Sequence, residues 1–351
     1  MPFSRVEKAR FILFPFSVLY GSVVELRNLY YDRGWLPAGR LPAPTIAVGN
    51  LTVGGAGKTP VTGFLARMLE QAGKKVAVLA LGYRRHSRET IILRKNFLDR
   101  WSPAETGDEP RVLARALSTG AVVIGWNRYK TAWETYSELR PDVYLLDDAY
   151  QYRQVQRMLD VLVVDGPSVG RKDYVIPAGR LREPFRQMRR ADLIWITRVD
   201  QMNGSREEAL CWLRRWSQAP VVFSSFVPQK LVAVDGTSTE PVQALRGTRV
   251  FAFCGIARPE SFLATLNSAG AEVVGHRFFL DHHWFTEEDL TDIKEEAFRL
   301  GANWIVTTEK DAVRLSSGQK RDCGSLFYLQ IELKVENEEL VKNLLKNSKI
   351  W

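Results

Sequence analysis

Short, unbroken apolar runs separated by longer amphipathic stretches dominate the first two-thirds of the chain. Residues 45–48, 75–81, 121–125, 143–146, 160–164 and 192–197 read as buried strands, and residues 61–71 and 128–139 carry helical spacing between them. Strands that are apolar throughout, rather than alternating, and that take turns with helices predict a parallel sheet covered on both faces. In such sheets ligands gather at the carboxyl ends of the strands. The rhythm changes near Pro228. Further strands are expected at 249–255, 272–275 and 303–307, with helices at 261–268 and 287–300, the second opened by Thr286 and Asp289 in a capping pattern. The expected fold is α/β: a parallel-sheet core at 36–225 and a second, smaller α/β domain at 226–351.

Residues 1–35 form a separate pattern. Positions 11–24 carry no charge and follow Arg5, Lys8 and Arg10. A helix of that length is about 21 Å long, short of the ~30 Å hydrocarbon core, so a spanning helix is not expected. A signal peptide fits the basic start, but no A-x-A cleavage pattern follows. The aromatic residues Phe11, Phe14, Phe16, Tyr20, Tyr30, Tyr31 and Trp35, together with the basic flanks, predict a helix lying in a membrane interface. A core helix packed on the sheet is the alternative. Pro15 is expected to start or bend the helix.

The chemistry is concentrated after the first strand, in GNLTVGGAGKTP at 49–60. A glycine-rich turn between strand and helix aims backbone N–H groups into a concavity, and the helix start adds partial positive charge. Lys58 can then reach the outer phosphates of a nucleotide and the Thr59 hydroxyl can ligate Mg²⁺. The chain has Thr52 where G-x-x-x-x-G-K-[ST] wants glycine; Gly54, Gly55 and Gly57, with Ala56 among them, supply the turn instead. The sheet is therefore expected to be a P-loop NTPase-type core.

Net charge adds a constraint. The 351 residues carry +9, which suggests an anionic partner: nucleic acid, lipid surface or phosphorylated substrate. The arginines cluster near the nucleotide site, not along a stripe with stacking aromatics, which argues against nucleic acid. Cys211, Cys254 and Cys323 are too few and too scattered for a disulfide framework or zinc site.

Five other segments are candidates. Asp147-Asp148 follows a strand, where a Mg²⁺ ligand or water-orienting group is needed; Asp165 is the competing strand-end acid. In TGDEP (106–110), Asp108 serves equally as a helix cap and as a reactive carboxylate. PAGRLREP (177–184) offers arginines suited to phosphate, with Glu183 as a metal partner. Thr197-Arg-Val-Asp200 is similar to the base-reading element of guanine-nucleotide proteins. In the last third, Asp281-His282-His283 lies on a loop where an Asp-His pair could tune proton transfer, or serve no function.

Taken in order, LFPFSVLYGSVVELRNLYYDRGW, VGNLTVGGAGKTP, GYRR, TGDEP, LLDDAYQYR, VVDG, PAGRLREP, FCGIARPESF, DHHWFT and TTEKDAVRL resemble the tetraacyldisaccharide 4'-kinase (lipid A 4'-kinase) family along nearly the whole chain. The resemblance implies ATP and Mg²⁺ as cofactors and an acylated glucosamine disaccharide 1-phosphate as acceptor, at the cytoplasmic face of the bacterial inner membrane. It implies Thr52, Gly54, Gly55, Ala56, Gly57, Lys58 and Thr59 at the phosphates, and Thr59, Asp147, Asp148 and Glu183 at the metal. Asp108 would be the base, tuned by His282, with Lys58 and Arg128 assisting and Tyr83 and Arg182 touching substrate. With Asp108 placed in the first domain and His282 in the second, domain closure is expected to bring both to the acceptor hydroxyl. The chain departs from the family at Leu81 (arginine there), Ala149 (glycine), Tyr152 (histidine) and Arg180 (proline). The rival expectation is a P-loop GTPase-like switch or metallochaperone at the membrane.

Overall fold

The computed structural model describes residues 5–83, 85–316, 318–320 and 325–351, with side chains from residue 11 onward. Arg84 of GYRR, Cys323 and the side chains of Arg5, Lys8 and Arg10 lie outside the described residues. Strands in chain order are β1 (Thr45–Gly49), β2 (Val76–Ala80), β3 (Ile91–Leu93), β4 (Ala121–Ile124), β5 (Val143–Leu146), β6 (Leu159–Asp165) and β7 (Leu193–Thr197). They continue with β8 (Val221–Ala233), β9 (Thr239–Pro241), β10 (Arg249–Cys254), β11 (Glu272–Phe278), β12 (Trp304–Thr308) and β13 (Leu326–Val335).

The chain forms two compact units. One comprises Met1–Ala80, Asn127–Ser225 and Val335–Trp351; the other comprises Leu81–Trp126 and Phe226–Lys334. The division differs from the boundary at 225/226 expected from rhythm alone. Segment 81–126 groups with the later residues, and the C-terminal helix returns to the first unit.

In the first unit the strands run in the order β8-β7-β6-β1-β5-β2 and every pairing is parallel. β1, β2, β5 and β7 are buried at every position, as their unbroken Val, Ile, Leu and Ala content requires of a sheet covered on both sides. Ala47 of β1 is in register with Leu146 of β5. The glycine turn after Gly49 and the acidic pair after Leu146 therefore leave the sheet at the carboxyl ends of neighbouring strands.

The N-terminal helix, Arg5–Asp32, belongs to the same unit. It runs uninterrupted past Pro15 for about 42 Å at 1.5 Å per residue, so Pro15 neither starts nor ends it. Pro15 is exposed, where water can take up the hydrogen bond it cannot make. Ser17, Gly21, Val24 and Asn28 form the buried stripe, spaced four, three and four residues apart. Ser17 Oγ donates to the Val175 carbonyl (2.6 Å) and accepts from the Ala178 N–H (2.8 Å). On the other side Phe11 is 85% exposed, Ile12 68% and Leu19 65%, with Phe14, Phe16, Val18, Val23 and Leu26 beside them. Among the described residues no helix is long and apolar enough to cross a membrane.

In the second unit β10 lies between β11 and β12, β12 pairs with β13, and all these pairings are parallel. β9 pairs antiparallel with Lys230–Val232 of β8, and β3 with β4. Phe251, Phe253, Phe285, Leu290, Ile293 and Leu315 form one core face; Leu231, Val250, Ala252, Phe262 and Leu266 form the other. The expected cap of the helix Glu287–Arg299 is present: the Asp289 N–H donates to Thr286 Oγ1 (3.1 Å) and the Thr286 N–H to Asp289 Oδ2 (2.8 Å).

Candidate active site

The glycine turn closes because Gly54 and Gly57 adopt φ of 101° and 85°, conformations that side chains rarely take. Gly57 caps the helix Lys58–Gln71, so Lys58 and Thr59 occupy its first turn, where N–H groups have no helical partner. Both are buried. Lys58 Nζ donates to Asn50 Oδ1 (3.3 Å) and lies 3.5 Å from Asp148 Oδ1. Asn50 Nδ2 in turn donates to Thr52 Oγ1 (3.1 Å). Asn50 was not singled out in the sequence; a polar residue directly after a fully buried strand was the available signal.

The acidic pair divides its work. Asp147 Oδ1 accepts from the Thr62 hydroxyl (2.8 Å), tying β5 to the phosphate-loop helix. Asp148 is in the left-handed region, φ 46°, and its two oxygens lie 2.9 and 3.1 Å from Arg182 Nη1. Burial would raise the Asp148 pKa, but the cations Lys58, Arg182 and Arg128 outweigh it and hold the carboxyl below its ordinary value. The buried Arg128 donates Nη2 to the carbonyls of Asp147 (2.6 Å) and Asp148 (3.2 Å), fixing the backbone that aims both acids. Its guanidinium also stacks on the Tyr152 ring, 5.0 Å from the centroid, which gives the departure at 152 a packing role.

PAGRLREP is an edge laid against the phosphate loop. Thr52 and Leu181 form an antiparallel bridge, the Val53 N–H donates to the Arg180 carbonyl (2.8 Å) and the Arg182 N–H to the Leu51 carbonyl (2.6 Å). Arg180, where the family has proline, pairs through Nε with Asp173 Oδ2 (3.1 Å).

Glu183 differs from its expected place at the metal. It is 0% exposed, and both of its oxygens are engaged. Oε1 accepts from Arg27 (2.9 Å) and Asn28 (3.2 Å) of the N-terminal helix, and Oε2 from Arg190. In this arrangement Glu183 anchors that helix, and a metal role would require it to give up an arginine. Glu183→Gln is expected to cost about 3–5 kcal/mol, the usual effect of breaking a buried pair, read by thermal unfolding, with the Mg²⁺ dependence of activity unchanged. A raised Mg²⁺ requirement with an unchanged Tm would instead put the carboxylate at the metal.

Arg198, in the segment similar to a base-reading element, is turned toward the loop. Its Nε donates to Asp165 Oδ1 (2.8 Å), its Nη2 reaches the Gly55 carbonyl, and Thr197 Oγ1 donates to the Ala56 carbonyl (2.8 Å). Thr197, Arg198 and Asp165 thus brace the glycine turn. Asp200 is exposed.

In the second unit, Asp108 opens the helix Asp108–Ala116 and is buried. Its Oδ2 lies 3.0 Å from His282 Nδ1, although the two residues are 174 positions apart in the chain. The pair is therefore formed within one unit, contrary to the expectation that placed Asp108 in the first domain and His282 in the second. His282, at φ 62°, is held by its N–H donating to the Gly255 carbonyl (3.1 Å), and its ring contacts the exposed Tyr83 at 5.4 Å between centroids. His283 turns to Asp289 instead (2.9 Å). Burial works to protonate Asp108, yet the His282 hydrogen bond and the charges of Lys310 and Arg314 prevail and hold its pKa far below the ordinary value. Lys310 is itself paired with Glu109 (2.6 Å).

A glycine turn at a helix start, a buried lysine beside an acidic strand end, and an ionised aspartate hydrogen-bonded to a histidine suit a phosphotransferase with a hydroxyl acceptor. Residues 9–349 match the family described as Tetraacyldisaccharide-1-P 4'-kinase, LpxK. The tetraacyldisaccharide 4'-kinase of Anaeromyxobacter dehalogenans is 42% identical over 300 residues, spanning 84% of this chain and 79% of its own. That of Pelodictyon phaeoclathratiforme is 32% identical over 350 residues, spanning 96% and 97%. A crystal structure of LpxK from Aquifex aeolicus in complex with ATP matches with a TM-score of 0.77 at 32% identity, covering 97% of this chain and 99% of that one. The chain belongs to the tetraacyldisaccharide 4'-kinase family: it is an ATP-dependent kinase that phosphorylates the lipid A disaccharide precursor at its 4'-hydroxyl.

Proposed function

We propose that the first unit is a P-loop NTPase-type core in which the turn 52–57, Lys58 and Thr59 hold the phosphates of ATP. Lys58 exchanges Asn50 and Asp148 for the β- and γ-phosphates, and Arg182 follows Asp148 to the same charge. Among the described residues no three His, Cys, Asp or Glu side chains form a ready-made metal cage. Thr59 with Asp147 and Asp148 suits Mg²⁺, which keeps most of its water and binds through one or two carboxylates plus phosphate. When bound, the ion neutralises charge on the transferring phosphoryl. The observation that carries this reading is Lys58 in the first turn of its helix, within 3.5 Å of Asp148, which Arg182 also grips.

The acceptor's proton passes to the Asp108–His282 pair. A carboxylate held this strongly ionised is a weak base, which is sufficient here. In a loose phosphoryl-transfer transition state the attacking hydroxyl gives up its proton late, once bonding to phosphorus has made it acidic. Tyr83, beside His282, is the candidate contact for the sugar.

The exposed apolar face of the N-terminal helix lies in the interface of the membrane that carries the acylated acceptor, at the cytoplasmic face of the inner membrane where ATP is present. Its opposite face is fastened through Ser17, Arg27 and Asn28 to the loop that abuts the phosphate loop, which links lipid contact to the nucleotide site. The test uses γ-labelled ATP, Mg²⁺ and the acylated disaccharide 1-phosphate, dispersed in detergent or held in vesicles. The enzyme should label both preparations only with Mg²⁺. A variant carrying Ile12→Ser and Leu19→Ser should label the detergent sample normally and the vesicle sample at least about tenfold less, given ~1.5–3 kcal/mol for each buried large aliphatic side chain. Equal labelling of vesicles by both proteins would refute the membrane role, and no Mg²⁺-dependent label on lipid would refute the kinase chemistry.

A further inference from the structure

TTEKDAVRL, residues 307–315, supplies the most enclosed charges of the second unit among the described residues. Arg314 is 3% exposed. Its Nη1 donates to Asp311 Oδ1 and to the Gly255 carbonyl, both at 2.8 Å. Its Nε donates to Asp108 Oδ2 at 2.9 Å, and its Nη2 reaches the same oxygen. Asp311 is fixed from behind: Oδ1 accepts from the Gly255 N–H (2.9 Å) and Oδ2 from the Thr308 hydroxyl.

Gly255, at the end of β10, is the hub, since its N–H meets Asp311 and its carbonyl receives both Arg314 and His282. A Cβ there would stand 3.0 Å from the Leu280 carbonyl oxygen and 3.2 Å from His283 Cβ, so a side chain would push the histidine loop away. FCGIARPE, DHHW, TGDEP and TTEKDAVRL thus converge on one carboxylate.

The choice of oxygen matters. Arg314 and His282 share Oδ2, while Oδ1 accepts the Glu109 N–H (2.9 Å). The arginine therefore fixes the plane of the carboxylate as well as its charge, and the oxygen it fixes is the one turned to His282.

We propose that Arg314 is a positioning residue for phosphoryl transfer: it holds Asp108 ionised and turned to His282, with Asp311 anchoring Arg314 in turn. The proposal rests on the reading that the Asp108–His282 pair receives the acceptor's proton. Without Arg314, a carboxylate this buried would take up a proton more readily and lose its hold on His282 Nδ1–H. Among the described residues, the other charged and polar groups facing the pair are Lys310 on Asp108, Glu109 through Lys310, Asp281, whose Oδ2 is 3.7 Å from His282 Nε2, and Tyr83, whose ring contacts that of His282.

The test compares full-length wild type with Arg314→Gln, Arg314→Lys and Asp108→Ala, measuring kcat across pH, KM for ATP and thermal unfolding. Arg314→Gln should lower kcat roughly 10²-fold, in the range of lost general-base function, with KM for ATP unchanged. Removing the cation raises the pKa of the carboxylate, so the ascending acid limb of kcat should move up by about one pH unit or more. Arg314→Lys, which restores charge without the fork, should recover part of the rate and carries the test if the glutamine variant does not fold. An unmoved acid limb in Arg314→Gln or, if that variant does not fold, full wild-type kcat in Arg314→Lys, while Asp108→Ala is inactive, would leave Arg314 a merely structural ion pair and overturn this inference alone. Normal turnover by Asp108→Ala would overturn the reading beneath it.

Discussion

Replacing Lys58 with alanine is expected to lower kcat/KM for ATP by roughly 10²–10³-fold, the loss typical of removing one preorganised charge donor from a transition state. The reason is positional. Lys58 is buried in the first turn of its helix, with Asn50 on one side and Asp148 on the other, so its ammonium is already desolvated and aimed before a phosphoryl group arrives. Arg182 shares Asp148 but is about a quarter exposed and bonded to both carboxylate oxygens, so it cannot substitute for the lysine. Steady-state kinetics at saturating acceptor would check this. A loss below about tenfold, small beside the effect expected of such a donor, would mean that the turn and Arg182 grip the phosphates unaided.

The second large effect is expected at Asp108. Asp108→Ala should reduce kcat by roughly 10²–10⁴-fold, the span attributed to general acid-base groups, while KM for ATP holds, because the carboxylate's hydrogen bonds are to His282, Arg314 and the Glu109 N–H. His282→Ala should fall in the same direction. Because His282 meets Asp108 directly at Oδ2, the double variant should be little worse than Asp108→Ala alone, the behaviour of residues that act as a unit. Additive losses, measured in the same kinetic cycle, would show that the two groups serve separate steps.

How far the chain could be read in advance follows from how local each feature is. The phosphate loop was legible because strand, glycine turn and Lys-Thr helix start are consecutive, and the left-handed Gly57 is what such a turn demands. The parallel sheet was legible because buried strands such as VYLL have no polar face to hide. Asp108 alone could not be told from a helix cap, and in the structure it opens a helix as well as facing His282. Its partners lie 174 and 206 positions away, and no periodicity carries that information; only the resemblance paired Asp108 with His282.

Arg314 went unread because an arginine in a turn just past a short helix reads as a solvated charge until its burial is seen. The anchoring contacts of Glu183 went unread for a related reason: an acid among arginines reads as a cation's partner, and the fold brings Arg27, Asn28 and Arg190 to it. The grouping of 81–126 with the later residues was hidden because β3 and β4 form their own antiparallel pair, which the expectation of an all-parallel core did not include.

The account's central claim is that Lys58 binds the nucleotide while the Asp108–His282 pair serves only the transfer. The most direct measurement is a single-turnover experiment with γ-labelled ATP and acylated disaccharide 1-phosphate, paired with equilibrium ATP binding, for wild type and Asp108→Ala. The prediction is equal ATP affinity and label on the lipid 4'-position from wild type alone. Label reaching lipid at the wild-type rate from Asp108→Ala, or ATP affinity lost with the carboxylate, would contradict it.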